Sequence, residues 1–292
     1  LKLLLAGVDF SPRSHTAAQM AVFLAKKAGA SVEMMHVIES RITDTDAQIL
    51  GLDRDDVEQA EINESNNELN ALAEQLECDD IQTKVVFGNA AESLARRYRE
   101  IGADLLIIGD TGTQSLETRH GTGVTAYRLV ENGPENVLVV KPSYNGVLDR
   151  IAAAVDFSSI SDNVIRQAML IAKLTGAHLF VVHAFSTHTS RVRRLYGEES
   201  ANKMIMDLQQ YNENLLREFI QRFDDLSVSI EPVVLAGSIT QPLLGYLHDE
   251  KIDLVVVGTG TTPRIAGFPL GSTTHAIVNQ APASVFIVRP GE

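Results

Sequence analysis

Short apolar runs alternate along the chain with longer segments in which apolar residues recur at helical spacing. Continuous runs of Val, Ile and Leu are typical of parallel strands that are buried on both faces. The runs predict strands at residues 2–8, 31–37, 82–87, 104–108 and 137–140, and again at 150–155, 178–184, 228–235, 253–257 and 285–288. Strands that alternate with helices indicate an α/β fold with right-handed crossovers.

The pattern is an internal repeat. Val8–Ser11 (Val-Asp-Phe-Ser) recurs as Val155–Ser158, and the segment Ala103–Gly109 has its counterpart in Ile252–Gly258. Order and spacing hold over the whole chain, which indicates two copies of one supersecondary unit. We therefore predict two domains, residues 1–145 and 146–292, each a five-stranded parallel sheet with helices on both faces.

Residues that could bind a ligand lie at the ends of the predicted strands. In open parallel sheets, ligands bind beyond the carboxyl ends of the strands, at the point where the strand order reverses. The residues at these ends are Asp9 and Asp156, His36 and His183, Gly88 and Gly237, and Gly109 and Gly258. Their convergence predicts one crevice per half, with the two histidines in structural roles.

The glycine-rich loop of the second half is the richest of these segments. It runs Gly258-Thr259-Gly260-Thr261 and later Gly271-Ser272-Thr273, directly before a helical pattern. Glycine lets a backbone approach a phosphate closely, and a helix that begins at Ser272 or Thr273 would point its free N–H groups at that phosphate. The Ser272 hydroxyl is interpreted as a phosphate ligand, as a helix cap, or as both.

These residues resemble the universal stress protein family, twice over and along essentially the whole chain. The family signature is Gly-x2-Gly-x9-Gly-[Ser/Thr] after the fourth strand, with an Asp at the end of the first. The resemblance implies an ATP site, with adenine and ribose near the Asp and the triphosphate on the glycine loop. In the second half it assigns to this site Asp156, Ala184, Gly237, Gly258, Gly271 and Ser272.

Each half departs from the signature. Thr261 stands where the middle glycine of the second half belongs, and its side chain would either crowd a phosphate or hydrogen-bond to it. The first half offers Asp9, Val37, Gly88, Gly109 and Gly112. Its third glycine is Gly121 or Gly123, and Gly123 is preferred because it keeps the following helix in register; Val124 then replaces the hydroxyl. The second half is the predicted better site.

Net charge, cysteine count and the apolar start limit which partners and which cellular compartment we expect. The formal net charge of −13 opposes binding to nucleic acid or to an anionic membrane. The single cysteine, Cys78, excludes a disulfide framework, and the apolar start at residues 1–8 is too short for a membrane span and lacks the features of a signal peptide. We therefore expect a cytoplasmic protein.

Two charged segments are candidate interaction surfaces. Residues 44–77 hold eleven acidic side chains and one basic side chain, Arg54. This segment is either a solvated helix face or a docking surface for a basic partner. The small basic cluster of Arg191, Arg193 and Arg194 is either a solvated surface or a contact for an anionic ligand.

The resemblance also implies pairing through the last strands, at residues 137–140 and 285–288, so that the tandem chain mimics a homodimer. A further homodimer of the whole chain, in which the acidic helices take part, is an open alternative.

The leading functional hypothesis is an adenine-nucleotide-binding regulatory protein of a stress response. A second is a slow ATP hydrolase, in which Asp156 would hold a Mg²⁺ ion. The third is a nucleotide-free scaffold, or a pocket for a different ligand, favoured by Thr261 and Val124.

Overall fold

The computed structural model describes residues 1–39, 42–78, 80–111, 123–187, 189–223, 227–259 and 271–290. The chain divides into two compact units, unit 1 over Leu1–Gly146 and unit 2 over Val147–Glu292. Within the described ranges, no helix is both long enough and apolar enough to cross a membrane.

Unit 1 is a doubly wound α/β unit. Its elements are β1 Leu3–Val8, α1 Pro12–Ala28, β2 Ser31–Ile38, α2 Asp44–Leu50, α3 Arg54–Gln75, β3 Ile81–Phe87, α4 Ala90–Ile101, β4 Leu105–Gly109, α5 Val124–Asn132 and β5 Asn136–Val140. The strands are parallel in the order β3-β2-β1-β4-β5. The order reverses between β1 and β4, and at such a switch point the strand ends leave a crevice.

Local sequence explains where the elements of unit 1 begin and end. Ser11 caps α1 by accepting a hydrogen bond from the Ser14 amide, and Pro12 follows as the first helical residue. Gly29 ends the helix in the left-handed conformation, with φ of 64°. The apolar runs of β1, β2, β4 and β5 are almost wholly buried, which is why they lack alternation.

One ion pair lies inside the apolar layer of unit 1. Glu33 of β2 has a side chain only 5% exposed, and Arg97 of α4 clasps it with two hydrogen bonds. Arg97 Nε lies 2.7 Å from Glu33 Oε1, and Arg97 Nη2 lies 2.8 Å from Glu33 Oε2. A bidentate pair of this kind fixes the angle at which α4 crosses the sheet.

Unit 2 repeats the arrangement. Its elements are β6 Arg150–Val155, α6 Ser161–Thr175, β7 His178–Phe185, α7 Ser190–Ile220, β8 Ile230–Ala236, α8 Thr240–Asp249, β9 Leu254–Gly258, α9 Ser272–Gln280 and β10 Ser284–Val288. The parallel order is β8-β7-β6-β9-β10, with its reversal between β6 and β9. Gly197, with φ of 86° and ψ of 174°, interrupts α7.

The predicted fold class is confirmed, since each half forms a five-stranded parallel sheet with helices on both faces. Observed strand limits lie within two residues of the predicted ones. The largest shift is at β8, which begins at Ile230 rather than at residue 228.

Candidate functional site

A sharp turn follows the first strand of unit 1. Phe10 adopts the left-handed conformation with φ of 62°, which a bulky side chain rarely does. The Asp9 carboxylate closes the turn, because its Oδ1 accepts hydrogen bonds from the Ser11 hydroxyl at 2.6 Å and from the Ser11 amide at 3.1 Å. The Phe10 ring stacks on His36 with a centroid distance of 4.4 Å. His36 Nδ1 in turn donates to the Val8 carbonyl at 2.8 Å.

Unit 2 contains the same turn. Phe157 has φ of 60°, and its ring lies 4.3 Å from that of His183, whose Nδ1 donates to the Val155 carbonyl at 2.9 Å. Asp156 Oδ1 accepts hydrogen bonds from the amide and hydroxyl of Ser158 and from the Ser161 hydroxyl. Partial burial raises the pKa of Asp156, but these hydrogen bonds outweigh it and leave the pKa below its usual value.

A cavity of about 740 Å³ opens at the switch point of unit 1. This volume is in the range of small-molecule sites. The carboxyl ends of β1, β2 and β4 and the first turns of α4 and α5 form its walls. The residues with polar groups or close backbone at the cavity are Asp9, Ser14, His36, Val37, Glu39, Asn89, Gly109, Thr111, Gly123, Thr125 and Arg128.

Two helices begin at this cavity. The first turn of α5 follows Gly123, which has no side chain to cap it, and its amides are free to meet an anionic group. Arg128, one turn further along α5, adds a positive charge to the same wall. The start of α4 differs, because Glu39 Oε1 accepts from the Ala90 amide at 3.0 Å. The negative end of a ligand is therefore favoured at α5.

A charge cluster lies directly after β4 in unit 1. Asp110, 8% exposed, directly follows Gly109. Its carboxylate lies 3.5 Å from Arg13 Nη1 and 3.8 Å from Lys141 Nζ. Burial lowers the pKa of Lys141, and Asp110 opposes that effect. The cluster was not predicted, because its members come from three elements far apart in sequence.

The end of β9 in unit 2 has no such carboxylate. Thr259 occupies the place of Asp110, and its amide donates to the last strand at Val288 O, as the Asp110 amide does to Val140 O. The Gly258 carbonyl accepts from the Thr274 hydroxyl at 3.0 Å, which ties the strand end to α9. Gly258 itself is tightly enclosed, since a Cβ there would lie 2.6 Å from Ile160 Cγ2.

The predicted site residues of unit 2 are brought to one edge of its sheet. Asp156, Ala184 and Gly258 lie at the ends of β6, β7 and β9, and Gly237, with φ of 138°, follows β8. Gly271 is the residue before α9, so Ser272 and Thr273 occupy the first helical turn rather than the cap. Gly260 and Thr261 lie outside the described residues.

In unit 1, the cavity collects four of the predicted residues, Asp9, Val37, Gly109 and Gly123. Gly88 lies beside it, between β3 and the cap residue Asn89, with its amide donating to Ile38 O. Gly112 and the alternative glycine, Gly121, lie outside the described residues. The sequence did not single out Glu39, Asn89 or Arg128, although each lies within a few residues of a strand end or a glycine.

The expectation of magnesium at Asp156 gains no support from the donor groups around it. Among the described residues, no three His, Cys, Asp or Glu side chains come together as a metal site. Asp156 Oδ1 is engaged by hydroxyl and amide donors instead.

A second cleft, of about 690 Å³, lies along the edge strand β8 in unit 2. Its charges are largely matched: Arg150 pairs with Glu250, and His178 lies 3.1 Å from Glu231. It does not lie at the switch point, so it is a weaker candidate for a ligand site.

Fold and strand-end geometry together define a class, that of tandem doubly wound α/β proteins whose sheet order reverses at a switch point in each unit. Comparison with known proteins identifies the family. The model of the Universal stress protein family matches twice, at residues 1–141 and 148–289. The chain belongs to the universal stress protein family, as a tandem member.

One curated relative is similar to this chain in sequence, and two solved structures are similar to it in fold. A universal stress protein of Staphylococcus aureus (strain USA300) is 29% identical over 145 residues, which are 48% of this chain and 84% of that protein. A universal stress protein structure from Archaeoglobus fulgidus DSM 4304 has a TM-score of 0.68 at 18% identity, covering 99% of this chain and 98% of that one. A protein of unknown function, PA1789 from Pseudomonas aeruginosa PAO1, has a TM-score of 0.70 at 16% identity, covering 99% and 93%.

Proposed function

We propose that this protein binds an adenine nucleotide at the carboxyl edge of its sheets, and that occupancy regulates a stress response. The observation that carries the proposal is the cavity of unit 1, which gathers Asp9, Val37, Gly109 and Gly123 at the switch point. These are residues at which family resemblance places adenine, ribose and phosphate. The regulatory role rests on membership of the family.

The geometry supports one orientation of the ligand. Asp9 and Glu39 make the wall near β1 and β2 acidic, which suits the hydroxyl and amine donors of a nucleoside. The opposite wall has the uncapped start of α5 and Arg128, which suit phosphate. We therefore place the base and ribose toward Asp9 and the phosphates toward Thr125.

Unit 2 is proposed as the tighter site for a triphosphate. At the start of α9, Ser272 and Thr273 offer two hydroxyls, whereas α5 begins with Val124. The proposal covers binding alone: the hydrogen bonds described at the Asp156 carboxylate are to Oδ1, from donors that hold its own turn.

Matched variants test the two crevices. Thr125 and Thr273 are the second residues of α5 and α9. A glutamate at this position favours the helix through the macrodipole but repels a phosphate. By calorimetry on the full chain, we expect Thr273→Glu to weaken ATP binding at least tenfold, about 1.4 kcal/mol, with a smaller loss for Thr125→Glu. Adenosine, which has no phosphate, should bind both variants as it binds the wild type.

One outcome would overturn nucleotide binding, and another would overturn the placement of the phosphates. Wild-type protein that releases no nucleotide on denaturation, and binds neither ATP nor ADP at millimolar concentration, is not a nucleotide-binding protein. If ATP binds and neither glutamate variant weakens it, the assignment of phosphate to the helix starts is wrong.

A further inference from the structure

The long connection after β2 exposes an apolar cluster on an acidic surface. Ile49, Leu50 and Leu52 are 77%, 63% and 51% exposed in the complete chain. Residues 44–58, here called the acidic tip, hold six carboxylates and one cation, Arg54. The Arg54 guanidinium pairs with carboxylates of the tip itself, those at positions 44 and 58. Three adjacent exposed aliphatic side chains are a feature of interaction sites.

The equivalent connection of unit 2 contains a short basic segment. Residues 191–196, here called the basic tip, read Arg-Val-Arg-Arg-Leu-Tyr, with three cations and no carboxylate. Glu198, just beyond the tip, pairs with Arg193. Leu195 and Tyr196 are 57% and 71% exposed. The break at Gly197 follows directly and separates the tip from the rest of α7. Each tip thus combines exposed apolar side chains with an excess of one sign of charge.

We propose that the acidic tip of one copy of this protein docks on the basic tip of a second copy. The two surfaces complement each other in charge, and each offers apolar side chains that the other would remove from water. Like tips cannot pair, since two acidic tips repel each other. Because one chain carries one tip of each sign, identical copies supply both halves of the contact.

The contact is small, so the association is weak. A stable interface buries about 800 Å² on each partner, more than a few side chains at each tip provide. If two copies exchange both tips, a closed dimer forms; if only one pair engages, copies add head to tail. Either way, the charges lie at the surface and the association is sensitive to salt.

Variants that reverse the charge of one tip at a time test the proposal. One variant reverses the acidic tip (Asp46→Lys, Asp55→Lys, Asp56→Lys) and the other the basic tip (Arg191→Glu, Arg194→Glu). All five side chains are exposed. Arg99→Glu with Lys251→Glu is the control, because it changes the net charge as the second variant does, but at the amino ends of the strands. Full-length proteins are compared by sedimentation equilibrium at about 50 and 500 mM salt.

We expect wild type and control to associate at high micromolar concentration, at least tenfold more weakly at the higher salt. Each tip variant alone should lose this association, because both of its tips then have the same sign. An equimolar mixture of the two variants should regain it. A wild type that remains monomeric at low salt, or association that neither tip variant changes, overturns the proposal. Circular dichroism of each variant confirms that folding is intact.

Discussion

Among the charged side chains of unit 1, Arg97 is the one whose removal should lower the free energy of unfolding most. Replacing it with Met keeps much of the aliphatic bulk and leaves Glu33 buried without its bidentate partner. Breaking a buried pair costs about 3–5 kcal/mol. With Arg97 itself 23% exposed, we expect a loss of about 3 kcal/mol.

Hydrogen exchange on the amides of β2 measures this loss within unit 1, and β7 serves as an internal reference in unit 2. Arg96→Met is the matched control. Arg96 lies one residue away, is 62% exposed and stands 3.7 Å from Glu100, so its removal should cost less than about 0.5 kcal/mol.

A second substitution distinguishes a buried charge from lost packing. Adding Glu33→Leu to the variant should restore most of the stability. A deficit under about 1 kcal/mol, or one that Glu33→Leu does not reduce, would refute this reasoning.

Two further predictions concern unit 2. Gly258→Ala places a Cβ 2.6 Å from Ile160 Cγ2 and should destabilise the unit by about 1–3 kcal/mol in urea unfolding. Gly245→Ala, inside α8 and with no described atom within 4 Å of its Cβ, should stabilise it by about 0.5–1 kcal/mol; equal effects would contradict the packing account. Burial raises the pKa of Asp156, but hydrogen bonds from Ser158 and its neighbours lower it by a larger amount, so the pKa lies below its usual value. The stability this carboxylate provides is therefore present above about pH 4 and is lost as the pH falls through the lowered pKa. Asp156→Asn should reduce the slope of the melting temperature of unit 2 against pH between about pH 4 and pH 2. An unchanged slope would show that Asp156 is not the titrating group.

The fold could be predicted because its signals are local and occur twice. Continuous apolar runs marked the strands, and the second copy of Val-Asp-Phe-Ser fixed the period of the repeat. The edge strand β8 is only half-buried, with Glu231 and Ala236 exposed, so the apolar signal was weaker there and the predicted start of the strand was displaced by two residues.

The site could be predicted at the strand ends and at Gly123. Topology alone brings Asp9, Val37 and Gly109 to one cavity, where Gly123 joins them at the start of α5. The Asp110 cluster depends on Arg13 and Lys141 arriving from α1 and from the end of β5, which no local pattern encodes. A crevice was predicted in each half, and motif spacing favoured the one in unit 2. That preference stays a prediction.

The paired aspartate turns bear on the thermodynamics of binding. Phe10 and Phe157 are left-handed and pack against their histidines, and hydrogen bonds from within each turn hold its carboxylate, so contacts of the chain itself order the backbone there. Ordering one residue costs about 1–2 kcal/mol of entropy, and here that cost belongs to folding. A ligand at either crevice therefore meets a preorganised carboxylate, and its association rate need not wait on a rearrangement of this turn.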